Sequence, residues 1–106
     1  MDKREAVRVP TRVRARCRSH GVVVDGLVED VSRSGLFLRD SNGIREGTEA
    51  ELDIELPGDE TLRLAVEVVR VEPGDEGVGM GLRFVERPER SRLLANFIMR
   101  QHEASR

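Results

Sequence analysis

The stretch EDVSRSG, residues 29–35, lies between two apolar runs and offers carboxylates, two hydroxyls and a glycine within one short connection. A tight hairpin would carry Asn-Gly or Asp-Gly at its tip. Here the spacing is D-x-S-x-x-G instead, at Asp30, Ser32 and Gly35. A carboxylate accepts hydrogen bonds, a hydroxyl gives or takes one, and a glycine lets another group approach the backbone closely. A second cluster, R-x-x-x-R at Arg4 and Arg8, lies near the N-terminus. Residues 1–20 hold seven Lys or Arg against two acids, a local charge of +5, while the whole chain carries −2. A basic arm on an acidic body suits an anionic partner. Arg12, Arg14, Arg16 and Arg18 read differently. They alternate with Val13, Ala15 and Cys17 at strand period, which makes them the outward coat of a β-strand.

Other chemistries fail on the residues they need. His20 and His102 are the only imidazoles and Cys17 is the only thiol, so there is no zinc-ligand spacing and no internal disulfide. A Ser-His-Asp arrangement would need His20 beside Ser32 and Asp30, and Ser32 is not in a G-x-S-x-G turn. No nucleophile stands with a base and an orienting group, so the chain is expected not to be an enzyme and to need no metal or cofactor. GVGMG contains G-x-G, but its glycines sit inside an alternating run, where glycine marks close backbone packing. The start, MDKREAVRVP, has no apolar run that could serve as a signal peptide, and no run of about 18 apolar residues follows. A cytoplasmic protein without membrane insertion is expected.

The elements that must hold these groups are mostly strands. AELDIEL puts Ala50, Leu52, Ile54 and Leu56 on one face. TLRLAVEVVRV does the same with Leu62, Leu64, Val66 and Val68, then slips phase at Val69 and Val71, the mark of a bulge. GVGMGLRFV alternates Val78, Met80, Leu82 and Phe84. SHG, DSNG, LPGDE and EPGDEG separate the runs as turns. About six strands at this spacing predict a closed or nearly closed antiparallel barrel, with Leu52, Ile54, Leu64, Val66, Leu82 and Phe84 in its core. From Pro88 the pattern turns helical, with Leu93, Leu94, Phe97 and Ile98 as one apolar stripe. The predicted organisation is one domain of 106 residues: an arm over 1–10, expected to be flexible without ligand, a barrel over 11–86 and a helix over 88–103.

The two motifs in this order resemble the signatures of the PilZ domain, a bacterial receptor module for cyclic di-GMP. RVPTRVRA, GLFLRD, GTEAELDIELP, AVEVVRVE and GVGMGLRF resemble that family's successive strands, and RSRLLANFI its C-terminal helix. The resemblance implies an all-β fold, a six- to seven-stranded antiparallel barrel with one C-terminal helix. It also implies that Arg4, Arg8, Asp30, Ser32 and Gly35 hold cyclic di-GMP, and that the chain signals to a protein partner in motility, pilus or biofilm control. The chemistry agrees. An Arg fork matches O6 and N7 of guanine, a carboxylate accepts from the guanine N–H groups, and phosphates take cations, hydroxyls and backbone N–H groups. Further contacts are Lys3, where relatives often have arginine; Ser34, where they often have glycine; and Arg70, where some place an aromatic residue against the base. An Arg plane can stack on a purine. Two alternatives stand beside this reading. One is a PilZ adaptor that keeps the fold and acts through protein contacts without ligand. The other is that Asp30 only closes a turn onto the N–H of Ser32. DNA or RNA binding is not expected, because the body is acidic and has no Tyr or Trp to stack bases.

Overall fold

The computed structural model describes residues 9–40, 43–74 and 77–104. Six strands follow one another: β1 (Val9–Ser19), β2 (Val22–Val31), β3 (Gly35–Asp40), β4 (Glu49–Leu56), β5 (Glu60–Gly74) and β6 (Gly77–Phe84). They close into an antiparallel barrel in the order β1-β2-β3-β6-β5-β4, and β4 returns to β1 through pairs such as Cys17 with Leu52. The closing pairing joins Ala15–Arg18 of β1 to Glu51–Ile54 of β4 and removes the free sheet edges over that stretch. The number of strands is the lower of the two expected.

Period-two patterning drives this closure. On β4 and the first part of β5, apolar residues alternate with charged ones, so one register buries the first set and leaves the second to solvent. All six of the expected core residues are buried, none more than 5% exposed. The outward arginines find acids on adjacent strands: Arg16 meets Asp25, and Arg18 meets both Glu51 and Asp53. The phase slip in β5 is a register shift between Val68 and Arg70, with Val68 inward and Val69 exposed. Between β1 and β2, His20 and Gly21 both take positive φ, the two-residue geometry whose twist matches antiparallel strands.

Two boundaries differ from the expectation. β1 already contains Val9 and Pro10, and Val9 is buried, so the barrel begins two residues earlier than residue 11. At the other end Pro88–Arg90 form only a 3-10 turn, and the α-helix, α1, spans Arg92–Ala104. The chain is extended at Ser91, whose Oγ accepts the N–H of Leu94, so a hydroxyl cap rather than Pro88 starts the helix. α1 packs beside β1 and sends Leu94, Phe97 and Ile98 into the core. Leu93 is exposed; it lies about 100° from Leu94 around the helix, beyond the buried stripe.

Candidate ligand-binding site

β2 and β3 place the D-x-S-x-x-G residues at one end of the barrel. A register shift between Val28 and Asp30 turns β2 so that Asp30 lies opposite Phe37 on the outer face while Val31 points inward. After Val31 the connection is tight. The N–H of Ser32 donates to the carbonyl of Gly35 at 2.8 Å. Ser32 is 1% exposed, and its Oγ lies 3.4 Å from the Gly35 carbonyl, the Ser34 N–H and the Ser34 Oγ. It braces the loop from inside. Arg33 and Ser34 are the exposed residues of the same loop.

Gly35 is crowded by the barrel itself. A Cβ there would stand 2.0 Å from the carbonyl oxygen of Leu82 on β6. Its close approach is therefore to a neighbouring strand, a packing reason for glycine independent of any bound molecule.

β1 begins against this loop. Val9 pairs with Val31 and Pro10 with Asp30. Arg8 directly precedes Val9 in the sequence, so the R-x-x-x-R segment joins the barrel beside the D-x-S-x-x-G loop. Lys3, Arg4 and Arg8 lie outside the described residues.

The outer face next to the loop is cationic. A cavity of about 160 Å³ is bordered by Ser34, Gly35, Arg70, Gly81 and Arg83. One of about 250 Å³ is bordered by Arg33, Ser34, Arg83, Glu86 and Arg87. They share Ser34 and Arg83. Arg83 is tied to Glu67 and Arg70 to Glu72, leaving roughly half of each arginine side chain exposed.

Phe37 is the residue that sequence reasoning missed. It is outward-facing and outside the barrel core, yet only 5% exposed. Gly79 lies beneath it, where a Cβ would come 2.2 Å from the ring, and the guanidinium carbons of Arg39 and Arg70 sit 5.3 Å and 5.6 Å from its centroid. The available signal was the unbroken apolar run Leu36-Phe37-Leu38, which departs from alternation opposite the glycines of β6.

Among the described residues no group of three or more His, Cys, Asp or Glu is placed to hold a metal, and no helix is long and apolar enough to cross a membrane. The arrangement offers hydrogen-bond acceptors and donors and exposed arginine planes, the equipment of a binding module.

Comparison with known proteins agrees. The family model for the PilZ domain matches residues 2–100. The solved PilZ domain of Escherichia coli YcgR with c-di-GMP superposes with a TM-score of 0.75 at 12% identity, covering 94% of this chain and 92% of that one. Bacillus subtilis MotI/DgrA, an inhibitor of motility, gives 0.71 at 19% identity over 94% of this chain, which spans 51% of that protein's length. YcgR in complex with c-di-GMP gives 0.71 at 14% identity, covering 92% of this chain and 45% of that one. No curated protein matches in sequence. With the barrel, its motif loop and a family match over nearly the whole chain, this protein belongs to the PilZ domain family.

Proposed function

We propose that the chain is a cyclic di-GMP receptor that signals to a partner protein, a reading supported by the YcgR PilZ domain with c-di-GMP, with motility as the process that the similarity to an inhibitor of motility suggests. The observation that carries this reading is the register of β1 on β2. Val9 pairs with Val31 and Pro10 with Asp30, so the strand that follows the R-x-x-x-R segment in sequence starts at the D-x-S-x-x-G loop, which supports one site shared by the two motifs. Arg4 and Arg8 are four positions apart, a span of at most about 14 Å, which keeps both within reach of one dinucleotide.

Each group has a role that its chemistry supports. Arg4 and Arg8 engage the guanine O6 and N7 edge and the phosphates through charge-assisted forks. Asp30 accepts from the guanine N–H groups. Ser32 holds the loop, Ser34 and Lys3 add polar contacts, and Arg70 offers a plane on which a purine can stack. The arm over residues 1–8 closes on the ligand and presents a bound-state surface that a partner distinguishes from the free one. Ordering each residue costs about 1–2 kcal/mol of backbone entropy, so closure consumes part of the contact energy.

Calorimetric titration tests this. The native chain should bind cyclic di-GMP, and Arg8→Ala or Asp30→Ala should each weaken binding about 5- to 150-fold, the value of one lost bidentate contact. Arg8→Lys should also bind poorly, because an ammonium cannot reproduce the fork. Unchanged affinity in the Arg8→Ala, Asp30→Ala double variant would remove this site. No binding by the native chain would favour an adaptor that works without ligand.

A further inference from the structure

Arg70 borders the same cavity as Ser34 and Gly35, but its backbone starts far from Asp30. It is on β5, and β6 and β3 separate it from Asp30 on β2. Yet the register puts Asp30, Phe37, Gly81 and Arg70 on one rung across the four strands. Three strand spacings, about 14 Å, lie between the backbones of Asp30 and Arg70. The Arg70 side chain closes much of that gap. It runs back over β6, and its guanidinium carbon lies 5.6 Å from the ring centre of Phe37, the residue opposite Asp30.

Two neighbours make this path possible. Gly81 leaves the surface of β6 clear; a Cβ there would stand 3.0 Å from Cγ of Arg70 and 3.4 Å from its Nε. Phe37 supplies a ring for the guanidinium to rest on, and Gly79 supplies the flat floor for that ring. The Nε of Arg70 is fixed at 2.6 Å from Glu72, while about half of the side chain remains exposed. The result is a planar cation fixed at its Nε, partly open to solvent, and carried toward Asp30.

We propose that Phe37 and Gly81 are positioning residues that carry Arg70 across β6 and present its guanidinium as a stacking platform for a purine base held at Asp30. The inference rests on the cyclic dinucleotide reading above and adds what places the platform. Phe37 acts through Arg70 and not by direct contact with the base. A platform already in place avoids most of the ordering cost of a long side chain.

The test combines cyclic di-GMP titration with NMR of the arginine Nε–Hε signals, on the native chain, on Phe37→Leu, Gly81→Ala and Arg70→Ala, and on Phe37→Leu and Gly81→Ala each combined with Arg70→Ala. Thermal melts establish that each variant is folded. In the native chain the ring current of Phe37 should displace the Arg70 Hε signal, and Phe37→Leu should abolish that displacement. Arg70→Ala should weaken binding about 3- to 30-fold, the range of a stacked or cation–π contact. Phe37→Leu should weaken it comparably, and the double variant no further than Arg70→Ala alone, because both act through one group. Gly81→Ala should weaken binding in the native background and have no effect once Arg70 is alanine. Native affinity in folded Phe37→Leu and Gly81→Ala would overturn the positioning role while leaving the receptor reading intact. A native Arg70 Hε signal without ring-current displacement would overturn it too. Failure of the native chain to bind would overturn the receptor reading and the platform with it.

Discussion

The β4–β5 hairpin and the β2–β3 connection are built from the same alternating pattern and end differently. β4 and β5 pair without interruption from Glu49 with Glu67 to Leu56 with Glu60. Their central inward residues, Leu52, Ile54, Leu62, Leu64 and Val66, are buried, and the outward pair Asp53 and Arg63 neutralise one another at 2.8 Å. β2 and β3 instead carry a register shift, a buried serine, a glycine jammed against a neighbouring carbonyl, and two exposed polar residues at the turn. One hairpin spends its side chains on closing the barrel. The other gives up regular pairing to hold polar groups at a fixed place beside the start of β1. In this barrel the regular hairpin closes the core, and the irregular one fixes polar groups at the surface.

The largest expected effects follow from the regular hairpin. Leu52→Ala or Ile54→Ala, both 0% exposed, should cost about 2–5 kcal/mol in chemical denaturation. Loss near zero would mean the inward face of β4 is wrongly assigned. Next comes the irregular connection. Gly35→Ala should cost about 1–3 kcal/mol, because the added methyl meets the Leu82 backbone and β3 or β6 must move. A neutral result would show that the two strands yield easily at this point and that glycine is there for another reason.

Surface pairs should matter least. Arg63→Ala removes an exposed partner of Asp53 that Arg18 can replace, so about 0–1 kcal/mol is expected from denaturation midpoints. Asp25 gives the pH counterpart. Its hydrogen bond to the Arg16 guanidinium, with the opposite charge behind it, holds the carboxyl below the ordinary value. The unfolded chain therefore takes up the proton first as pH falls. The pair's contribution is intact above about pH 4 and is lost as acidity passes through the lowered native value. Urea midpoints should show a slightly steeper acid decline for the native chain than for Asp25→Asn, and matching declines would show that the pair contributes nothing.

The sequence reveals the barrel well because a half-buried strand writes its burial in period two. Leu52, Ile54, Leu64 and Val66 are read correctly on that basis, and the Val68–Val69 slip locates a real bulge. Leu93 is misread because adjacent apolar residues on a helix cannot both face a narrow contact, and only packing decides between them. Phe37 escapes for a different reason. Its burial comes from a glycine floor and two arginines brought in by strand register, which no local spacing encodes. Asp30 and Ser32 are legible as chemistry, while the buried, loop-bracing role of Ser32 and the packing role of Gly35 emerge only when β6 is in place.

If cyclic di-GMP joins the N-terminal segment to the β2–β3 connection, both segments should respond to it together. Amide hydrogen exchange, followed with and without cyclic di-GMP, addresses both segments in one measurement. The account predicts slower exchange on adding ligand over residues 1–8 and over 30–35, with the β4–β5 hairpin unchanged, and no such change in the Arg8→Ala, Asp30→Ala double variant. Bound ligand with unaltered exchange in both segments, or protection confined to a different face of the barrel, would contradict it.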